Sequence, residues 1–382
     1  MPWTEGRVEQ RKRMVGLFEA GTSVVALSEQ FGVSRQTVYN VMERWRELGE
    51  AGLIDGSRAP HSNKRQTPET VRSALLNLKD RYPHFGPDKL VRLLQDEQIE
   101  LSASTARDIL RQNGRVQARR ARSQRWSPVE APQVGVPAPG QMMTADHKGA
   151  FRLGNGQYCH PLTIADPASR YIFAIEALSS TGVAVAMKVF ERVFREWGLP
   201  EQILTDNGCP FCTARSIGGL TPLSLRWIEL GIRHVRIQPG RPQQNGIHER
   251  MHRTLEAQAI HPPEYDCRRH QKRFDVFRYE FNEIRPHQGL GQERPASKVQ
   301  PYRRPYPDRI PELEYPDSFT VRRVRGNGEI KWKGGSLLVG TVLSGKPVGL
   351  LQVDDDRWKL FVGGVHLADW KRGAKRLVPP GR

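Results

Sequence analysis

Cysteine is scarce in this chain of 382 residues, and the four present (Cys159, Cys209, Cys212 and Cys267) are scattered. They are too few and too dispersed for a disulfide framework. Cys209 and Cys212 form a lone C-x-x-C without the second pair that a tetrahedral zinc site needs, so packed free thiols are expected. The 11 histidines show no zinc-finger spacing either. Long apolar runs are missing. No stretch approaches the ~18 consecutive apolar residues of a membrane span, so no membrane is expected among the partners. The opening residues, MPWTEGRVEQRKR, lack the apolar segment of a secretory signal, which points to a cytosolic protein. Acid is in short supply as well: 41 Asp and Glu face 59 Lys and Arg, a net charge of +18 with a pI near 10.1. Such an excess implies a polyanionic partner, because each neutralised phosphate releases counterions.

What is present begins with helices. At roughly 100–200 residues per domain the length allows two to four domains. Val8, Met14, Leu17 and Phe18 recur at near-helical spacing. Val24–Phe31 reads as a short helix closed by Gly32, and Ser34 is a good N-cap for a helix over Arg35–Leu48. Two helices joined by a tight glycine-containing turn make a helix-turn-helix over residues 1–55, with Arg35, Gln36, Thr37 and Asn40 as candidate DNA readers. Residues 56–66 form a linker. A second helical unit spans 67–114: one helix after Pro68, one opening at Pro87, and one capped by Ser102 or Ser104. It reads as a second helix-turn-helix with Arg107 and Arg111 facing DNA. Residues 115–140 are first arginine-rich, then rich in Pro and Gly; Arg115, Arg119, Arg120 and Arg122 suit phosphates or a minor groove, and the remainder an extended spacer.

From Gln141 the periodicity changes. Met142–Asp146, Cys159–Ala165 and Tyr171–Leu178 read as strands, Gly182–Trp197 as a helix, Glu201–Leu204 as a strand, Leu223–Leu230 as a helix, His234–Ile237 as a strand and Gly246–Ala257 as a helix. This is the element order of a ribonuclease-H-like α/β domain, over 141–300. Three acids stand at element ends: Asp146, Asp206 and Glu249, with 59 and 42 residues between them. Each has an ordinary explanation. Asp206 can serve an Asp-Asn-Gly turn, Glu249 can pair with Arg253, and Asp146 can simply end a strand. Together they offer hard oxygen ligands for Mg²⁺ or Mn²⁺. Two such ions, about 3.5–4 Å apart, stabilise both oxygens of an in-line phosphoryl transfer.

The stretches MTADHKGAF, IADPASRY, LTDNGCPF, GRPQQNGIHERMHRTL and FNEIRPHQGL carry a resemblance. The chain resembles DDE-type integrase-core transposases of the insertion-sequence branch related to retroviral integrases. The likeness extends over nearly the whole chain. It implies Asp146, Asp206 and Glu249 as catalytic residues and metal ligands, with donor-end cleavage followed by strand transfer. It also implies double-stranded DNA (element ends and target) as partner, a homo-oligomer on that DNA, and a bacterial, nucleoid-associated cytoplasmic setting. The chain departs from the family in two places. The Asp206–Glu249 interval is longer by about two helical turns, with the extra residues expected in ARSIGGLTPLS. His147 replaces the usual aromatic after the first Asp and is expected to pack or lie at the surface, with a DNA contact as the alternative. Asp166 sits in an Asp-x-x-Ser-Arg context and is expected to be structural, beside Arg170.

After a Pro-rich connection at 301–316, six short strand patterns follow in 317–382, separated by turns at Asn327-Gly328 and Gly334-Gly335. They suggest a small, basic, SH3-like β-barrel. The fold class expected is therefore multidomain: α-helical N-terminal helix-turn-helix units, an α/β ribonuclease-H-like catalytic core and a C-terminal small β-barrel. The function expected is a transposase. A non-catalytic, site-specific DNA-binding regulator is the alternative, and a ribonuclease-H-like nuclease without strand transfer is a third reading.

Overall fold

A computed structural model describes residues 5–55, 67–115, 138–238 and 245–380. It divides into two units, Met1–Pro68 and Glu69–Arg382. The first unit holds helices α1 (Glu5–Glu19), α2 (Val24–Gln30) and α3 (Arg35–Leu48), then a 3₁₀ turn, Gly49–Leu53. Ser23 and Ser34 cap α2 and α3 by accepting from the Ala26 and Thr37 amides. Met14, Val15, Leu27, Val38, Val41, Met42 and Leu53 form its core. Gly52 is required at the closing turn, because a Cβ there would lie 2.1 Å from the Arg44 carbonyl oxygen.

The second unit starts with α4 (Glu69–Arg81), α5 (Pro87–Asp96) and α6 (Ala103–Gln112). Pro87 opens α5 and Ser102 caps α6. Leu75, Phe85, Leu90, Leu94, Ile109 and Leu110 fill the space between them.

The α/β core follows, with strands β1 (Met142–His147), β2 (Phe151–Arg152), β3 (Tyr158–Ala165) and β4 (Ile172–Leu178), helix α7 (Val183–Trp197), strand β5 (Gln202–Thr205), helix α8 (Pro222–Glu229), strand β6 (Arg233–Arg236), and helices α9 (Gly246–Leu255) and α10 (Cys267–Tyr279). Both last helices end in a π-turn, Glu256–Ile260 and Glu280–Ile284. The sheet runs β4-β3-β1-β5-β6, with β2 clipped to the start of β3. Strands β1, β5 and β6 are parallel, whereas β3 is antiparallel to both β1 and β4. Alternate residues face opposite sides of a strand. Met143, Ala145, Leu162, Ile164 and Phe173 meet Phe190 of α7 and Trp227 of α8. The β3–β4 pairing has a bulge at Phe173, so Ile172 and Ile175 share the other face, where they meet Met251 and Leu255 of α9 and Phe274 and Phe277 of α10. The alternation in β1 therefore turns Thr144 and Asp146 toward α9.

The C-terminal strands β7 (Phe319–Arg323), β8 (Glu329–Trp332), β9 (Gly335–Leu338), β10 (Pro347–Asp354), β11 (Arg357–Val362) and β12 (Val365–Lys371) do not make the expected SH3-like barrel. They form an open antiparallel sheet, β12-β11-β10-β7, and a separate β8–β9 hairpin. Closure needs the edge strands to pair, and β7 and β12 do not. The apolar face is covered differently. Trp332 of the hairpin packs 5.9 Å from Trp358, which lies 5.2 Å from Trp370. Leu220, Leu225 and Ile228 of the core join the same cluster. Gly218, at φ +62, brings the Ile217–Gly219 turn so close that a Cβ would lie 2.8 Å from Leu367 Cδ2. The long interval after Asp206 thus serves as the seat of the C-terminal sheet.

Candidate active site

Neighbouring parallel strands bring two of the acids together. Ala145 of β1 is in register with Thr205 of β5, so Asp146 and Asp206 follow side by side at the C-terminal edge of the sheet. Crevices of open α/β sheets lie at this edge. The Asp146 side chain is 19% exposed. Its carboxyl is pushed up to about 7, first by burial, then by the Asp206 charge, with Glu249 adding to it against the His147 amide and Lys148. Asp206 does take the turn role: its Oδ1 accepts from the Gly208 amide at 3.0 Å. Glu249 lies exposed in the first turn of α9, where a helix favours negative charge, and among the described residues it makes no ion pair with Arg253. Among the described residues no three of His, Cys, Asp and Glu sit close enough to hold a metal ion. The three acids therefore act on one another electrostatically without forming a ready-made cage.

Beneath Asp146 is a polar network that the sequence pattern did not single out. Thr163 of β3 stands opposite Asp146 and is fully buried. Its Oγ1 donates to the Asp146 carbonyl at 2.9 Å. A hydroxyl has one proton, so Nε2 of His248 at 2.6 Å and Nε2 of His252 at 2.7 Å donate to Thr163. Burial keeps both imidazoles neutral: His248 is held well below its usual range, with His252 reinforcing it, and His252 falls to about 3 through burial and then Lys148 and His147. Nδ1 of His248 then accepts from Thr144 Oγ1 at 2.8 Å; the Ala165 carbonyl, at 3.2 Å, is the longer alternative for that proton. Nδ1 of His252 keeps a bare lone pair 3.8 Å from Asp146 Oδ2 and offers the carboxylate no proton. The signal for this network was the i,i+4 pair His248 and His252 flanking Glu249, set against threonines on one face of β1 and β3.

The other expected residues separate clearly. His147 points to the α7 side and packs 6.0 Å from Phe211, with burial lowering its pKa. Asp166 is buried and accepts from Ser169 Oγ at 2.7 Å and the Ala168 amide at 3.0 Å, so its partners are the turn rather than Arg170. Cys212 Sγ accepts from Arg236 at 2.9 Å, and all four cysteines are free. Arg35, Gln36 and Asn40 are exposed on α3, with Gln36 donating to Asn40 at 2.9 Å; Thr37 is tied to Ser34. Exposed Tyr39 stands among them and was not anticipated. Arg107 is exposed on α6, Arg111 lies 3.4 Å from Asp108, and Arg115 pairs with Asp80 at 2.7 Å. Arg119, Arg120 and Arg122 lie outside the described residues.

Residues 230–295 match the integrase core domain family, residues 37–110 a homeodomain-like domain family and residues 10–61 a helix-turn-helix domain family. Over 212 residues the chain is 26% identical to the Gag-Pol polyprotein of Koala retrovirus, which is 53% of this chain and 11% of that protein. Over 155 residues it is 26% identical to an uncharacterized 39.2 kDa protein of insertion element IS476 from Xanthomonas euvesicatoria, 40% of this chain and 42% of that one. The core is integrase-like. The likeness runs to retroviral Gag-Pol polyproteins and to an insertion-element protein, and the family match itself is confined to residues 230–295. The chain spans about a tenth of the viral polyprotein and under half of the insertion-element protein. Among solved structures, the HTLV-2 integrase catalytic core domain in complex with magnesium is similar at 12% identity and a TM-score of 0.34, over 43% of this chain and 98% of that one. The integrase-core match contains Glu249, His248 and His252 but neither Asp146 nor Asp206.

Proposed function

We propose that this chain is a transposase: it binds element-end DNA, hydrolyses a phosphodiester there and joins the freed 3′-hydroxyl to target DNA. The observation that carries the reading is that Asp146 and Asp206 directly follow the paired Ala145 and Thr205 of adjacent parallel strands, with the charges of Asp206 and Glu249 both raising the Asp146 carboxyl. Crowding carboxylates in a half-buried crevice is unfavourable unless a cation relieves it. The donors are hard oxygens, the set that suits Mg²⁺ or Mn²⁺. Asp146, Asp206 and Glu249 would hold such ions, two in number. When bound, the ions supply the Lewis acidity and activated hydroxyl that phosphodiester hydrolysis requires. The chain's own residues do the remainder. The His248–Thr163–His252 network fixes α9 against β1 and β3, and so sets where Glu249 stands relative to Asp146. The α2–α3 unit, with Arg35, Gln36 and Asn40 exposed, and Arg107 on α6 supply DNA contacts. Two DNA ends must be joined together, so the working form is a homo-oligomer on DNA, in a bacterial cytoplasm.

The absence of a three-donor cluster among the described residues favours one second reading, a regulator that binds DNA without cutting it. One assay separates the two. Purified protein is given labelled element-end DNA, a target plasmid and Mg²⁺ or Mn²⁺. A transposase yields cleaved ends and strand-transfer product with wild type, and neither with Asp206→Asn. DNA binding without cleavage or joining across metals and pH would establish the regulator instead.

A further inference from the structure

A cleft of about 710 Å³ lies between α9, the Ala165–Arg170 turn, the α4–α5 loop and the Arg285–Gly289 segment. Five cations line it: Lys89, Arg170, Arg250, Arg253 and Arg285. The one carboxylate in the lining, Asp166, is already committed to Ala168 and Ser169. Among the described residues only Arg285 of the five has an acidic partner, Glu280 at 3.3 Å. The crowding is felt: burial and then the Arg285 charge bring Lys89 down to about 8, and burial and then Arg250 lower Arg170. Arg170 also holds a strained backbone, φ +65, that a side chain rarely adopts. Gly289 accommodates its guanidinium, since a Cβ there would lie 3.3 Å from Arg170 Nη2. Uncompensated like charges in a half-buried cleft are relieved by an anion.

The cleft has ring surfaces too. His84, Phe281 and His287 line it, and the last two meet edge-on at 4.6 Å. Cations for phosphates beside rings for bases is the combination that holds unpaired nucleotides. The volume falls within the roughly 300–1,000 Å³ of small-ligand sites, which a turn of duplex far exceeds. We infer that this cleft holds a short unpaired stretch of DNA, with its phosphates on Lys89, Arg170 and Arg253 and a base against His84 or His287. Arg250, in the lining, is the neighbour of Glu249 on α9, while Asp146, Asp206 and Glu249 themselves are outside the lining. The inference rests on the DNA-acting reading above.

The test is metal-free binding by the full chain, read by fluorescence anisotropy. The probes are a blunt duplex and the same duplex with a short single-stranded overhang; inorganic phosphate and a nucleoside triphosphate serve as competitors. The variant is Lys89→Gln with Arg170→Gly, the glycine relaxing the positive φ, and thermal unfolding checks its fold. Arg192→Gln, at the exposed partner of Glu176 on α7, is the control. Wild type and control should favour the overhang about tenfold, the scale of stacking one base. The variant should lose that margin, keep its blunt-duplex affinity, and flatten the salt dependence for overhang DNA by about 1.4, or ~0.7 per single-strand phosphate contact. No overhang preference in wild type, or a preference that survives in the variant, overturns the inference. So does displacement of overhang DNA by phosphate or triphosphate at equal concentration, which would make this a free-anion site. The assay reads binding without metal, so its failure leaves the catalytic reading standing. Loss of strand transfer with the overhang preference intact would sink that reading alone.

Discussion

Helix α9 presents His248, Met251, His252 and Leu255 to the sheet and Glu249, Arg250 and Arg253 to the surface. The buried face is polar at its N-terminal end, and every polar atom placed there on Thr163 and His248 has a partner. The surface face carries charges without ion-pair partners among the described residues. One face is satisfied within the protein, and so contributes stability and position. The other is solvent-facing, and under the proposed function it is the side that meets metal and DNA. The two faces therefore should respond to substitution in opposite ways.

The largest effect is expected on the surface face. Glu249→Gln should reduce strand transfer on the order of 10³-fold, the equivalent of several kcal/mol of transition-state stabilisation. The same change removes a charge that crowds Asp146, so the urea midpoint should stay or rise slightly. A comparable loss in both quantities would break the division between faces. Next comes the buried face. Thr163→Val strands two imidazole N–H groups and should cost about 2–4 kcal/mol in urea unfolding, because unsatisfied buried donors are expensive.

A pH series sharpens the contrast. The folded-state pKa of His252 is depressed to about 3 and those of His234 and His270 to about 4. Their contribution is full above the unfolded value near 6.5 and is lost as pH falls toward 4. Asp146 runs the other way: raised to about 7, its contribution is full below 3.8 and is lost as pH rises to 7. The histidines outnumber it, so urea stability should drop between pH 6.5 and 4, and less steeply in His252→Gln. Metal binding needs Asp146 ionised, so the rise in unfolding temperature on adding Mg²⁺ should be larger at pH 8 than at pH 6. The smallest effect belongs to the Lys148–Glu256 pair at 3.1 Å, with Glu256 half exposed. Glu256→Gln should alter stability by less than about 1 kcal/mol.

Much of the scaffold was legible because local chemistry fixes it. Ser34 and Ser102 cap the helices they were expected to cap, and Pro87 opens α5. The apolar period of Val183–Trp197 marks α7 to within a residue. Strand β2, two residues long, left no periodic trace. The barrel expectation failed because alternation identifies strands without saying whether edges meet. Here the tryptophans of a separate hairpin and Leu220 of the core cover the open sheet. At the candidate site the acids were legible from their positions at element ends. The network was not, because a threonine in a strand and a histidine on an apolar helix face look like ordinary core residues until register sets Thr163 opposite Asp146. The cationic cleft was hidden for a similar reason: its lysine and arginines come from four separate segments.

The most direct test of the central claim asks whether Asp206 touches the ion that drives DNA cleavage. Asp206→Cys exchanges a hard oxygen for a soft thiolate, which Mg²⁺ accepts poorly and Mn²⁺ tolerates better. Single-turnover cleavage of labelled end DNA should be lost with Mg²⁺ and partly restored with Mn²⁺ in this variant, while Asp206→Asn stays inactive with both. Equal activity of wild type and Asp206→Cys in Mg²⁺, or cleavage by wild type with all divalent ions chelated, would contradict the assignment of these carboxylates to a metal site.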